Sequence, residues 1–182
     1  MAQTLAPASV SLGFLTILHE PSGYVGGYLV TNAWGRPIEF RLSTAVQPNR
    51  LQQILYGGTL QPYVCAELIG KTLVQKTHTP AQIIVTDKEA ALELRRHLDI
   101  PVAWVADAAV PLTAAFREAG CEVIPASPRN GPVLCHPDFK GDAVPLRAKL
   151  AWEEGILDLA EPFSRIRDAI AEARKMGVTG RG

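Results

Sequence analysis

The chain lacks the features that announce a compartment, a cofactor or a partner. Eighteen Lys plus Arg balance eighteen Asp plus Glu, so no molecule-wide field draws it to nucleic acid or to an anionic membrane. No apolar run approaches the roughly 18 residues that span a bilayer, and the opening MAQTLAPASVSLGFLTIL lacks the basic start of a secretory leader. These absences predict a cytoplasmic protein without a membrane partner. Cys65, Cys121 and Cys135 are odd in number and no two stand at CxxC spacing, which predicts reduced thiols and neither a disulfide frame nor a zinc site. Glycine-rich phosphate loops of the GxGxxG or Walker type are missing, and Gly57-Gly58-Thr59 reads most simply as a helix stop followed by a helix cap.

What is present suffices for a core. With 182 residues and 47% apolar content, residues 1–182 are expected to form a single domain without crosslinks or structural metal. Gly and Pro at 15 and 14 residues, with 20% charged side chains, exclude a long disordered, collagen-like or coiled-coil chain.

Between residues 12 and 43 three β-rich runs, LGFLTILH, YVGGYLVT and PIEFRLS, are separated by the turn formers EPSG and NAWGR, which predicts an antiparallel meander. In the third run Ile38, Phe40 and Leu42 alternate with Glu39, Arg41 and Ser43, so one face is expected to be buried and one wet. Pro37 marks an edge strand, because proline cannot donate to a ladder. Gly26 and Gly27 inside the second run point to a bulge or to close approach by a neighbouring element.

Residues 48–77 read as helical, with Leu51, Ile54 and Leu55 at i, i+3, i+4 and a second apolar stripe through Leu60, Val64, Leu68, Ile69 and Leu73. Over 81–126 the chain alternates AQIIVTD, the helix KEAALELRRHL, PVAWVAD, the helix VPLTAAFREAG and CEVIPAS. Near-continuous apolar strands alternating with helices predict a parallel βαβαβ part. Residues 128–145 are rich in Pro and Gly and predict a long surface loop, and 146–176 predict C-terminal helices with a stripe of Phe163, Ile166, Ile170 and Ala173.

The fold class so predicted is α/β, a mixed sheet in which an antiparallel meander precedes parallel βαβ units and C-terminal helices. Its element order from about Leu12 to Gly120 resembles the ribonuclease H-like fold, and Pro62-Tyr63-Val64 ahead of the helix after the third strand resembles endonuclease V more weakly. The resemblance implies that the first strand is central and pairs with a parallel one. It also implies metal-binding carboxylates at strand ends and on a following helix. The family's Asp in the middle of the first strand has no counterpart in LGFLTILH, where the nearest acid is Glu20. Asp87 ends the fourth strand, where a family carboxylate stands; Glu67 is a helix-borne acid, and Asp107 or Asp138 a late one.

Several side chains have two readings. Asp87 and Asp107 end adjacent strands at the edge where open α/β sheets bind ligands, and each is equally placed to cap the helix that follows. His136 lies in Cys135-His136-Pro137-Asp138, a loop able to ligate metal or serve acid–base chemistry, or merely a surface loop. Tyr24, Tyr28, Trp34, Arg36 and Arg41 form either a recognition face for a nucleic acid or a peptide or, for the aromatics, core. Trp34 is placed exposed at the hairpin tip.

The missing first-strand acid favours a non-catalytic or degenerate ribonuclease H-like module that binds a protein or nucleic-acid partner. The competing expectation is a nuclease or phosphohydrolase dependent on Mg2+ or Mn2+, with Asp87, Glu20, Asp107 and Asp138 as carboxylates, Asp87 and Asp138 on the metal, and His136 shuttling protons.

Overall fold

The computed structural model describes residues 10–107, 109, 114, 116, 120–125, 130–150 and 158–177. Its centre is one seven-stranded sheet of order β3-β2-β1-β4-β5-β7-β6. β1 (Ser11–Glu20), β2 (Gly23–Asn32) and β3 (Pro37–Leu42) form the antiparallel meander. The β1–β2 turn uses Gly23 at φ 116°. At the β2–β3 turn the Asn32 side chain accepts from the N–H groups of Trp34 and Arg36, both at 3.0 Å.

β4 (Ile83–Thr86) lies parallel to β1, with Leu12 opposite Ile83 and Leu15 opposite Thr86, and β5 (Val102–Val105) lies parallel to β4. The third parallel neighbour expected from CEVIPAS does not follow. β6 (Glu122–Ile124) stands at the far edge, and β7 (Val133–Cys135) is inserted between it and β5, antiparallel to both. β7 comes from the stretch read as surface loop: Val133, Leu134 and Cys135 are fully buried, and Pro137–Asp142 continues as a 3-10 helix. The Pro and Gly of 128–145 mark the ends of these short elements and hide a three-residue apolar strand between them.

Both sheet faces are covered. On one, the C-terminal helix (Glu161–Lys175) presents Phe163, Ile166 and Ile170 to Leu12, Phe14, Val25, Leu29, Ile83 and Val85. On the other, the helical stretch 57–76 sets Val64, Cys65, Ile69 and Leu73 on Leu15, Ile17, Tyr28 and Ile84. Gly26 and Gly27 form no bulge. A Cβ on Gly26 would collide with Ile69 and one on Gly27 with Ile166, so the pair lets helices approach β2 from both sides.

Three helical expectations change in detail. Arg50–Tyr56 is a helix with Asn49 and Gln52 as a capping box, yet it buries none of its residues, so Leu51, Ile54 and Leu55 are exposed. Residues 57–76 run on with a π-helical segment, Tyr63–Gly70, and Thr59 donates its hydroxyl to the Tyr56 carbonyl and caps nothing. Glu89–His97 is a 3-10 helix: at three residues per turn Ala91 and Leu94 stack inward, while Glu93 and Arg96 share another edge. The helix read over 110–120 lies for the most part outside the described residues. Among the described residues no helix is long and apolar enough to cross a membrane.

Candidate functional site

The carboxyl ends of β1 and β4 bring two of the acids to one face of the sheet. Side chains alternate along a strand, so Thr16 and Glu20 share the face of Phe14, against which the C-terminal helix packs. Extending the β1–β4 register by one residue sets Thr16 beside Asp87. Asp87 Oδ2 accepts from Arg167 Nη1 at 2.9 Å, and the Arg174 guanidinium faces the Glu20 carboxylate. Thr16 is fully buried, and its Oγ1 and the Oδ1 of Asp87 have no hydrogen-bond partner. Neutral Thr16 thus stands beside Asp87 at this rim, and two arginines of one helix face Asp87 and Glu20.

Asp107 follows β5 and accepts the Ala109 N–H at 2.8 Å, as a capping residue does. After β4 the Thr86 Oγ1 accepts the Lys88 N–H at 3.1 Å, the helix Glu89–His97 has no side-chain cap, and Asp87 pairs with its arginine. Asp87 and Asp107 also line a cavity of about 340 Å³ with Lys88, Trp104, Tyr24 and His19, the last two stacked at 4.1 Å and 4°. Cys65 lines it too, but burial pushes its thiol up to about 11, against a smaller opposing pull from Lys88, so it stays protonated. Cys135 is likewise raised by burial to about 11, and Cys121 is raised by burial as well.

Asp138 and His136 are not brought to this rim. Cys135 pairs with Ala103 near the amino end of β5, so the residues after it emerge at the rim opposite Asp107. There the Asp138 N–H donates to His136 Nδ1 at 3.1 Å, which assigns the ring proton to Nε2, 3.1 Å from Glu93 Oε1. Arg96 closes the ring by donating to Glu93 and to Asp138. Both nitrogens of the buried His136 are therefore engaged within the protein. A cavity of about 440 Å³ opens on this cluster. Glu67 sits apart, 3.6 Å from His97. Among the described residues no three His, Cys, Asp or Glu side chains gather as a metal-binding group.

On the meander, Trp34 is 60% exposed at the hairpin tip and Arg36 is exposed beside it. Arg41 pairs with Glu39 at 2.8 Å and with His78 Nδ1 at 2.9 Å. Tyr24 and Tyr28 are buried, which removes them from the expected recognition face; burial and the nearby Glu39 push the Tyr28 hydroxyl well above its ordinary range.

Residue reasoning missed Glu39, Glu93, Arg167 and Arg174. Glu39 accepts the N–H groups of Thr79 and His78, and these bonds, led by Thr79, hold its carboxyl down at about 2 despite an opposing desolvation cost. Arg167 and Arg174 are seven residues apart beside the Phe163–Ile170 stripe, a spacing that returns to the same helix face. That was the one available signal that they turn toward the sheet.

Two solved structures share this architecture. The endonuclease V of Bacillus subtilis aligns over 91% of this chain and 82% of its own, with a TM-score of 0.50 and 10% identity. The endonuclease V of Ciona intestinalis, solved with a 24mer DNA containing an inosine followed by a ribo-adenosine, aligns over 90% and 86%, with a TM-score of 0.51 and 9% identity. The fold is similar to that of endonuclease V. No family model and no curated protein sequence matches the chain.

Proposed function

We propose that the chain is a ribonuclease H-like module that binds a nucleic-acid partner without hydrolysing it. The observation that carries this reading is the pairing of Arg167 with Asp87 and of Arg174 with Glu20. Two-metal hydrolysis needs roughly three or four carboxylates around its cations. Here the middle of β1 offers a threonine, two strand-end acids face guanidinium groups, Asp107 caps its own turn, and Asp138 is engaged elsewhere. This donor set does not fit Mg2+ or Mn2+.

A nucleic acid is preferred over a protein as partner because the endonuclease V fold is seen holding DNA in one of its structures, and because Trp34 and Arg36 project together from the hairpin tip. An exposed indole stacks on bases of any identity, and an adjacent guanidinium meets phosphate. The second reading, a metal-dependent nuclease or phosphohydrolase, draws on one observation: Asp87 Oδ1 is buried and unpartnered next to a cavity shared with Asp107.

Fluorescence anisotropy with short single- and double-stranded DNA and RNA, followed by gel analysis of the same mixtures with Mg2+ and Mn2+, separates these. The expected result is salt-sensitive binding weakened by Trp34→Ala and Arg36→Ala, with intact oligonucleotide throughout. Metal-dependent cleavage that disappears in Asp87→Asn overturns the reading in favour of the hydrolase. Absence of binding to every oligonucleotide overturns the nucleic-acid reading.

A further inference from the structure

We propose that two copies of this chain pair edge to edge through β3, antiparallel about a two-fold axis at Phe40. Among the described residues β3 ends the sheet and has no strand beyond it. The Ser43 N–H donates to the Gly26 carbonyl at 2.9 Å, so position 43 faces β2. By alternation the backbone groups of Arg41 and Glu39 also face β2, and those of Phe40 and Leu42 point out of the sheet. An edge with free donors and acceptors is a template for another strand. This one is also apolar, with Ile38 52% and Phe40 38% exposed although the alternation in sequence predicted both to be buried.

The occupant follows from the sequence Ile38-Glu39-Phe40-Arg41-Leu42, which is complementary to itself when reversed. An antiparallel pair centred on Phe40 sets Phe40 against Phe40 of the second copy, using the outward N–H and C=O of both. It sets Glu39 against Arg41 twice and brings Leu42 of each copy toward Ile38 of the other, where the register shift in β3 ends regular pairing. The neighbouring registers fail on charge: centring on Glu39 opposes two carboxylates and centring on Arg41 opposes two guanidinium groups, and like charges directly opposite are destabilising. The Glu39 carboxylate already accepts from Arg41, His78 and Thr79 of its own chain, so it is held in place for the second guanidinium. The pairing is isologous and closes on itself. Pro37 and the register shift between Val30 and Thr31 end the ladder on one side, so the interface is short and the dimer dissociates on dilution.

Sedimentation velocity of the full chain over a wide dilution series tests this, and no oligonucleotide is involved, so the result stands apart from the nucleic-acid reading. The expected outcome is a concentration-dependent monomer–dimer equilibrium for the natural chain. Phe40→Lys should sediment as a monomer at every concentration with unchanged far-UV circular dichroism and melting temperature, and Leu51→Lys should keep the dimer. Because all three native cysteines are buried, Phe40→Cys should form a disulfide-linked dimer under mild oxidation. A natural chain that is monomeric throughout, a dimer that survives Phe40→Lys, or one abolished by Leu51→Lys overturns the proposal.

Discussion

Arg167 on the C-terminal helix donates to Asp87 at the end of β4, joining residues 80 apart in sequence by a contact of 2.9 Å. The helix is held there by its apolar face, since Phe163, Ile166 and Ile170 are almost wholly buried. The arginines are carried to the acids by packing, and the ion pairs contribute little to holding the helix. Arg167→Ala is therefore expected to change stability by no more than about 1 kcal/mol, because the arginine is 43% exposed and solvent screens the pair. Phe163→Ala should cost about 3–5 kcal/mol, as removal of a buried aromatic does. Urea denaturation of the two variants checks the contrast.

Glu39 gives the acid dependence of folding a definite sign. Its carboxyl is lowered from an ordinary 4.5 to about 2 in the folded chain, chiefly by the Thr79 N–H. A depressed carboxyl contributes stability that is fully present above the unfolded value and is lost as pH falls toward the folded one. Thermal midpoints measured from pH 5 down to pH 2 should fall less steeply in Glu39→Gln than in the natural chain.

Gly26→Ala is expected to destabilise by about 1–3 kcal/mol through overpacking, because the added methyl meets Ile69. Ile69→Ala should cost a comparable amount alone, and the double variant should cost less than the sum. A double-mutant cycle by chemical denaturation reads this coupling directly.

Much of this architecture is legible in the sequence because it is written in period and punctuation. The alternation of LGFLTILH and YVGGYLVT around EPSG gives the hairpin, IIVTD and AWVAD give the two parallel strands, and the exposure of Trp34 follows from NAWGR. What escapes is whatever depends on a partner far along the chain. Val133–Cys135 is too short to show a period, and its strand character comes from the ladder with β5. Leu51, Ile54 and Leu55 have a helical stripe, but a stripe does not say whether anything covers it. The separation of His136 and Asp138 from Asp87 follows from β7 running antiparallel to β5, which no local pattern records.

Thr16→Asp should expose the reason for the threonine. It places a carboxylate in a fully buried position beside Asp87, where an unpaired charge is costly. The variant should melt below the natural chain. Millimolar Mn2+ should raise its midpoint while leaving the natural chain unchanged, as binding to the folded state alone requires. Differential scanning calorimetry with and without the ion provides the comparison.

The measurement that tests the central claim most directly is isothermal titration of Mg2+ and Mn2+ into the natural chain and into Asp87→Asn. With the strand-end acids matched to Arg167 and Arg174, neither protein should show saturable binding. Stoichiometric binding by the natural chain that vanishes in Asp87→Asn would contradict the account and make this rim a metal centre.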